Sequence, residues 1–475
     1  MKTWTNLHSH DVFSLLDGHG QPERYAERAK QLGMPALAVT NHGNVAGILD
    51  HYEACKKFGI KPILGIELYQ ARKTRFDRDP EELAGPARDE WNQRGPYHLT
   101  VLARNEAGYR NLIRLSSRAY LEGFYGKPRG DHELLADHAD GLIVGSGCLN
   151  GQVQQALLRG DYDFALSTAA TLQEVFGEEN YFLEVQNHGI EEQLRIMDDV
   201  LKIAKAIGAP LVATGDCHYV YADDHDHHDT MLCVGASNSL KADENRFRFE
   251  KNEFYLKSYE EMLERHESEW LDNSVRIAEM VELELKFDEF HFPVFPDVPK
   301  QETAFQYMER LTWEGLRERY GEDLSEEVVD RAKYELSVVE RMNFPDYFLV
   351  VADLVNWAKD NGIRVGFGRG SAAGSIISYA LGITGLDPLK FGLMFERFLN
   401  PDRVSMPDID LDFDSRYRER VIQYARERYG ENRVAHIATY QTVKARSAIR
   451  DAARVLGFEY AVGNEVANLV PNAVL

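Results

Sequence analysis

The chain has 475 residues, of which 44% are hydrophobic and 28% charged, and its formal net charge is −23. That length exceeds what one ordinary core serves and predicts about two to four domains, while no run approaches the roughly 18 uninterrupted apolar residues of a membrane helix. Four cysteines (Cys55, Cys148, Cys217, Cys233) and an opening MKTWTNLHSH that does not read as an export signal point to reduced thiols in a cytoplasmic protein.

Seven short apolar runs punctuate the first 220 residues: TWTNL, PALAVT, PILGIELY, HLTVLA, GLIVGSG, YFLEV and PLVATG. Between most of them lie stretches such as PERYAERAKQLG and EEQLRIMDDVLKIAKAIG, with apolar residues at helical spacing and a closing glycine. The alternation predicts a parallel α/β domain, closed into a barrel.

In such architectures reactive groups collect at the carboxyl ends of strands. His8 and His10 end the first run, His42 follows the second, Glu67 closes the third, Cys148 follows the fifth, and Asp216 and His218 follow the seventh. Glu184 in YFLEV is the weakest of these candidates, and Asp17 in SLLDG is a loop carboxylate that could join them. His98 begins its run instead of ending it, so the rule places it badly. Imidazole, carboxylate and thiolate together suit Zn or Mn and hydrolytic chemistry at a phosphate. His225, His227 and His228 in DDHDHHD read as a solvated acidic loop.

From about Ser258 the pattern changes to acid-rich helices, with a boundary expected near Phe290 to Lys300 in the proline-rich FHFPVFPDVPK. Further on, GFGRGSAAGS follows the apolar IRV and leads into the helix-like SIISYALG, which would aim backbone N–H groups at a phosphate. Its GxGxxA spacing is a weak dinucleotide signal, because the acid expected about 20 residues on is missing. MPDIDLDFD then sets Asp408 and Asp410 about Ile409, so that an apolar residue facing a core from a strand would project both carboxylates together as ligands for divalent cations. Arg397 and Arg403 are candidates to neutralise phosphates. Charge is split along the chain: residues 416–454 carry ten Lys/Arg against four acids, whereas the first 363 residues sum to −25. A basic run beside paired aspartates suits a nucleic-acid backbone.

LHSHDVFSLLDG, VTNHG, GIELY, YHLTVLA, GSGCLNG and TGDCHYV resemble the successive motifs of the PHP phosphoesterase domain. The resemblance implies a centre of three ions, Mn or Zn, held by His8, His10, Asp17, His42, Glu67, His98, Cys148, Asp216 and His218. Asn41 departs from the aspartate usual in that family, a change expected to touch the hydrogen bonding behind the ligands. The glycine loop, the arginines and the DxD triplet resemble the palm of bacterial C-family replicative DNA polymerases. That likeness implies Asp408 and Asp410 as two of three catalytic carboxylates holding Mg, and Gly370, Ser371 and Arg397 at the phosphates of the incoming deoxynucleoside triphosphate. It implies Asp412 and Asp414 as structural.

The expected fold class is therefore α/β, a PHP-type (β/α)7 barrel (1–290) followed by a mixed α+β polymerase palm (291–435) and a helical partial thumb (436–475). Primer-template DNA is the implied partner, together with a sliding clamp and other replisome subunits through regions beyond this sequence; no membrane is involved. The family's third aspartate lies on a later palm strand, so an amino-terminal piece unable to extend a primer is expected. A stand-alone PHP phosphatase and an inactive scaffold docking a separate proofreading subunit are the competing readings.

Overall fold

The computed structural model describes residues 2–78, 95–236, 240–287, 291–400 and 406–471. Arg403 lies outside them. The chain divides into two compact units, Met1–Leu285 with Thr442–Leu475, and Lys286–Gln441. Among the described residues no helix is long and apolar enough to cross a membrane.

The first unit is built on a curled sheet of β1 (Ala36–Val39), β2 (Lys61–Gln70), β3 (Tyr97–Ala103), β4 (Arg129–Gly130), β5 (Leu142–Gly145), β6 (Tyr181–Val185) and β7 (Leu211–Ala213). Its order is β1-β2-β3-β5-β6-β7, with β4 pairing the end of β2. Six of the seven apolar runs thus become strands. The first run is joined by isolated bridges, Asn6 to Leu37 on one side and Ser9 to Cys217 on the other. Backbone bonds from Ala38 to Asn6, Thr40 to Ser9, His10 to Cys217 and Cys217 to His8 (2.7–3.1 Å) bring the curl round on itself.

The pairing is not uniformly parallel. β3 runs antiparallel to both β2 and β5, while β1–β2, β5–β6 and β6–β7 are parallel. The reversal sets His98 opposite Tyr69 and Thr100 opposite Glu67, so the start of β3 lies at the rim where the other strands end. His98 fits badly only because a single apolar run carries no sign of strand direction.

Side chains alternate along each strand. Ile66, Leu68, Leu99, Val101, Val144, Leu183 and Val185 pack outward against helices such as Glu106–Leu121, Tyr162–Phe176 and Glu191–Ile207. The other face carries Leu7, Ala38, Ile63, Leu102, Ile143, Phe182 and Val212, which pack together inside the curl with Ile277 and Val281. Glu67, Thr100 and Glu184 fall on that inner face by the same period of two.

The second unit packs the helices Ala304–Tyr320, Glu326–Arg341 and Pro345–Asp360 around Met308, Leu336, Val339, Phe344, Phe348 and Phe395. The strand expected at Asp408–Asp410 is reduced among the described residues to an isolated antiparallel bridge, Val365 to Phe413. Backbone bonds from Gly366 to Asp412 (2.8 Å) and Asp414 to Arg364 (3.0 Å) flank it. At the acid pair the Ile409 amide donates to the Tyr347 hydroxyl (3.1 Å), so a side chain takes the place of a neighbouring strand. The alternation nevertheless holds: Ile409 and Leu411 pack on the core while Asp408 is exposed. The basic stretch after Thr442 forms the helices Ala445–Val455 and Tyr460–Asn468, and within the first unit the Lys241 amide donates to the Val455 carbonyl (2.8 Å).

Candidate metal centre and acidic pair

Of the other eight candidates at the rim, five gather on Glu67. One oxygen of this buried carboxylate lies 3.1 Å from His8 Nε2, 3.1 Å from His98 Nδ1 and 3.3 Å from Cys148 Sγ. The other lies 2.5 Å from His42 Nδ1 and 3.7 Å from His10 Nε2. Asp216 Oδ1 sits 3.4 Å from both His8 Nε2 and His10 Nε2 and 3.6 Å from His218 Nδ1. Asp17 approaches His42 Nε2 at 2.8 Å and His218 Nε2 at 3.9 Å.

Three overlapping triads, His10–His42–His218, His8–His10–Asp216 and His42–Glu67–His98, each gather ligand atoms within 4.8 Å of one another. His8 Nε2, His10 Nε2, His42 Nδ1, Glu67 Oε2 and Asp216 Oδ1 are buried and crowd within 2.5–3.7 Å of one another, yet none makes a well-angled hydrogen bond. Buried polar atoms left so are costly unless something else satisfies them. Lone pairs of imidazole and carboxylate aimed at a common point are what a divalent cation satisfies, so the donor set fits the implied ions.

Positioning comes from behind. His8 Nδ1 lies 3.0 Å from Glu184, which also accepts from Thr214 (2.8 Å) and the Gly147 amide (3.0 Å). A Cβ at Gly145 would meet Glu184 at 2.2 Å, so only glycine leaves room for that carboxylate. His10 Nδ1 meets the Ser14 hydroxyl (3.0 Å), Ser14 donates to Asn41 (2.7 Å), and Asn41 donates to Asp11 (2.7 Å). Asn41 therefore sits behind the ligands. Among the described residues three non-glycines have positive φ, and two of them, Leu16 (59°) and Asp216 (42°), lie at this rim. Such conformations persist where surrounding structure enforces them, commonly at working sites.

Burial opposes a charge on His8, yet Asp216, Glu184 and Glu67 outweigh it and raise its pKa well above the ordinary value. His42 likewise rises to about 10 because Glu67 and Asp17 overcome burial. Burial, reinforced by His42 and His218, lowers His10 to about 3. Burial and then Glu67 and Asp216 push the Cys148 thiol well up. Without ions the centre thus holds protons on His8, His42 and Cys148 at neutral pH, and a cation must displace them. Affinity for Mn or Zn is expected to rise through the neutral range by about tenfold per pH unit for each proton released. Calorimetric titrations in buffers of differing ionisation heat would count those protons; a pH-independent affinity would contradict this ligand set.

In the second unit the glycine loop meets the acid pair: a Cβ at Gly370 (φ +68°) would lie 3.2 Å from Asp410 Oδ2. Arg369, in the same loop, reaches Asp410 (3.4 Å) and Asp412 (3.2 Å). Gly370, Ser371, Arg397 and Asp408 are all exposed. The helix entry after the loop is different. The amides of Ile376 and Ile377 and the Ser375 hydroxyl donate to Glu335 (2.8–3.3 Å), so a protein carboxylate occupies the place where the sequence suggests a phosphate. Asp414 accepts from the Arg416 amide and guanidinium, a local structural role.

Residues 6–188 match the PHP domain family and residues 306–475 the bacterial DNA polymerase III alpha NTPase domain. Across 98% of the chain it is 41% identical to the DNA polymerase III subunit alpha of Thermus aquaticus. The same subunit of Treponema pallidum is 44% identical over 99% of the chain, and that of Borreliella burgdorferi 43% over 98%. Along nearly its whole length the chain is similar to bacterial DNA polymerase III alpha subunits. It covers 43%, 39% and 40% of those three relatives, about two fifths of their length.

The sequence undervalued two residues at the rim. Glu184 ranked as the weakest of the strand-end candidates, and it stands behind His8 in space that Gly145 leaves open. The expected acidic loop is instead the helix His225–Gly235, with His228 fully buried and its Nε2 2.8 Å from the Asp17 carbonyl. Asp226 and Asp229, which suggested solvent, pair with Lys241 and Arg246.

Proposed function

We propose that this chain is part of a DNA polymerase III alpha subunit that makes DNA on a template and, at its PHP centre, removes 3′-terminal nucleotides by metal-dependent hydrolysis. The observation that carries the nuclease reading is the clustering of nine candidate side chains, Glu67 among them, with five buried ligand atoms left without a well-angled hydrogen bond. His8, His10, Asp17, His42, Glu67, His98, Cys148, Asp216 and His218 are the proposed ligands of three ions, Mn or Zn. Such ions supply hydroxide at neutral pH and neutralise a phosphate. Glu184 and Ser14 fix the His8 and His10 rings, and Asp17 holds His42 toward the common point.

In the synthetic half, Asp408 and Asp410 are proposed to hold Mg. Gly370, Ser371 and Arg397 would receive the triphosphate of a deoxynucleotide paired to primer-template DNA. The proposed domains are phosphoesterase (1–290), palm (291–435) and the start of a thumb (436–475). Digestion of a 3′-labelled primer with Mn or Zn tests the nuclease reading. The chain is expected to release single nucleotides, and His8→Ala with His10→Ala to abolish release. Hydrolysis of small phosphomonoesters alone would favour a phosphatase, and tight metal binding with neither activity a scaffold.

A further inference from the structure

A series of rings and cations leads from the metal centre to the surface. The Tyr69 ring lies 5.8 Å from His42 and 5.3 Å from His98. Lys127 Nζ stands 5.1 Å over Tyr69 from the far side. The Lys127 carbonyl accepts from the Tyr125 amide (3.0 Å), and the guanidinium groups of Arg129 and Arg78 lie 5.6 and 6.0 Å from the Tyr125 ring. Next to Tyr125, Phe124 stacks on Tyr120 at 6.1 Å and 14°. Phe124 is 52% exposed, Tyr120 45% and Tyr125 36%.

We propose that Tyr120, Phe124, Tyr125 and Lys127 form a shelf for the unpaired bases of a single DNA strand whose 3′ end is directed toward the metal centre. This rests on the nuclease reading for the direction of the strand, not for its binding. Exposed rings interleaved with cations are the means by which proteins hold single strands, because every base has a stackable face and every linkage a negative charge. The carboxylates nearby do not spoil that charge match. Glu122 is engaged by Arg75 and Arg118, and Asp131 by Arg75. The shelf is also held in place: buried Arg129 donates to the carbonyls of Gly123, Arg75 and Asp77. A Cβ at Gly123 would strike the Arg129 carbonyl at 1.9 Å, so the turn has little room to shift.

Fluorescence anisotropy with labelled oligo(dT), in EDTA so that no cleavage occurs, tests the shelf on the whole chain. Tyr120→Ala with Phe124→Ala is expected to weaken binding by about tenfold or more, and Phe124→Trp to retain it. Lys127→Ala should flatten the salt dependence by about one ion's worth. Thermal unfolding like that of the parent would exclude misfolding of these surface variants. Equal affinity for oligo(dT) in the double alanine variant would overturn the proposal. Because binding is read without ions, a chain that binds oligo(dT) through these rings but never cleaves refutes the nuclease reading alone.

Discussion

Glu67→Gln is expected to empty the metal centre and abolish nucleotide release, although the change removes only one charge. Glu67 contacts His8, His10, His42, His98 and Cys148. Its carboxyl is held well below the usual range because, against the cost of burial, His98, His42 and His8 favour its ionised form. A neutral amide offers one weak oxygen where the carboxylate has two anionic ones with which it would hold the ions, and its NH2 group would point hydrogens at imidazole nitrogens. Metal analysis of the purified variant should find the first unit largely free of Mn and Zn, with cleavage down by about a thousandfold or more, the scale of removing a metal-made nucleophile. Full metal occupancy in the variant would mean that Glu67 is not the hub.

Glu335→Ala should loosen the second unit far more than a substitution in a helix ordinarily does. Glu335 is fully buried and binds Arg331 at 2.6 Å while accepting from Ser375, Ile376 and Ile377. Arg331 in turn donates to the carbonyls of Gly374 and Leu393 (2.7 and 3.0 Å). Alanine takes the counter-charge from Arg331 and the acceptor from two amides and a hydroxyl together, a loss of about 3–5 kcal/mol. Native-state hydrogen exchange reads it directly: protection of the Ile376 and Ile377 amides is expected to fall by about a hundredfold or more. Glu335→Gln keeps the acceptor oxygen and should lose less. Unchanged protection in the alanine variant would show that helix contacts alone hold the glycine loop.

These two carboxylates mark the boundary of what could be read beforehand. Glu67 was visible because an acid ends an otherwise apolar run, and inward-pointing charges there are rare without a partner. Glu335 was not, since an acid in an amphipathic helix looks solvated and its partners lie some forty residues on. His98 was placed correctly only once β3 was seen to run backwards, a pairing choice made by the whole sheet. His228 was lost among aspartates whose basic partners, Lys241 and Arg246, come later in the chain. At Asp408–Asp410 the alternation was legible, but a strand is a relation between segments, and Tyr347 supplies the hydrogen bond there instead.

The first ten residues are gripped from both sides, by β1 and by the turn around Cys217, and Asn6 reaches the Cys217 sulfur across 211 positions of sequence. Until that turn has left the ribosome, His8 and His10 cannot meet Asp216 and His218. The emerging polypeptide must therefore wait, its histidines exposed and uncommitted, and the ions can be captured in full only in a late step. Such distant closure is slow by nature, so it sets the pace at which the rim assembles.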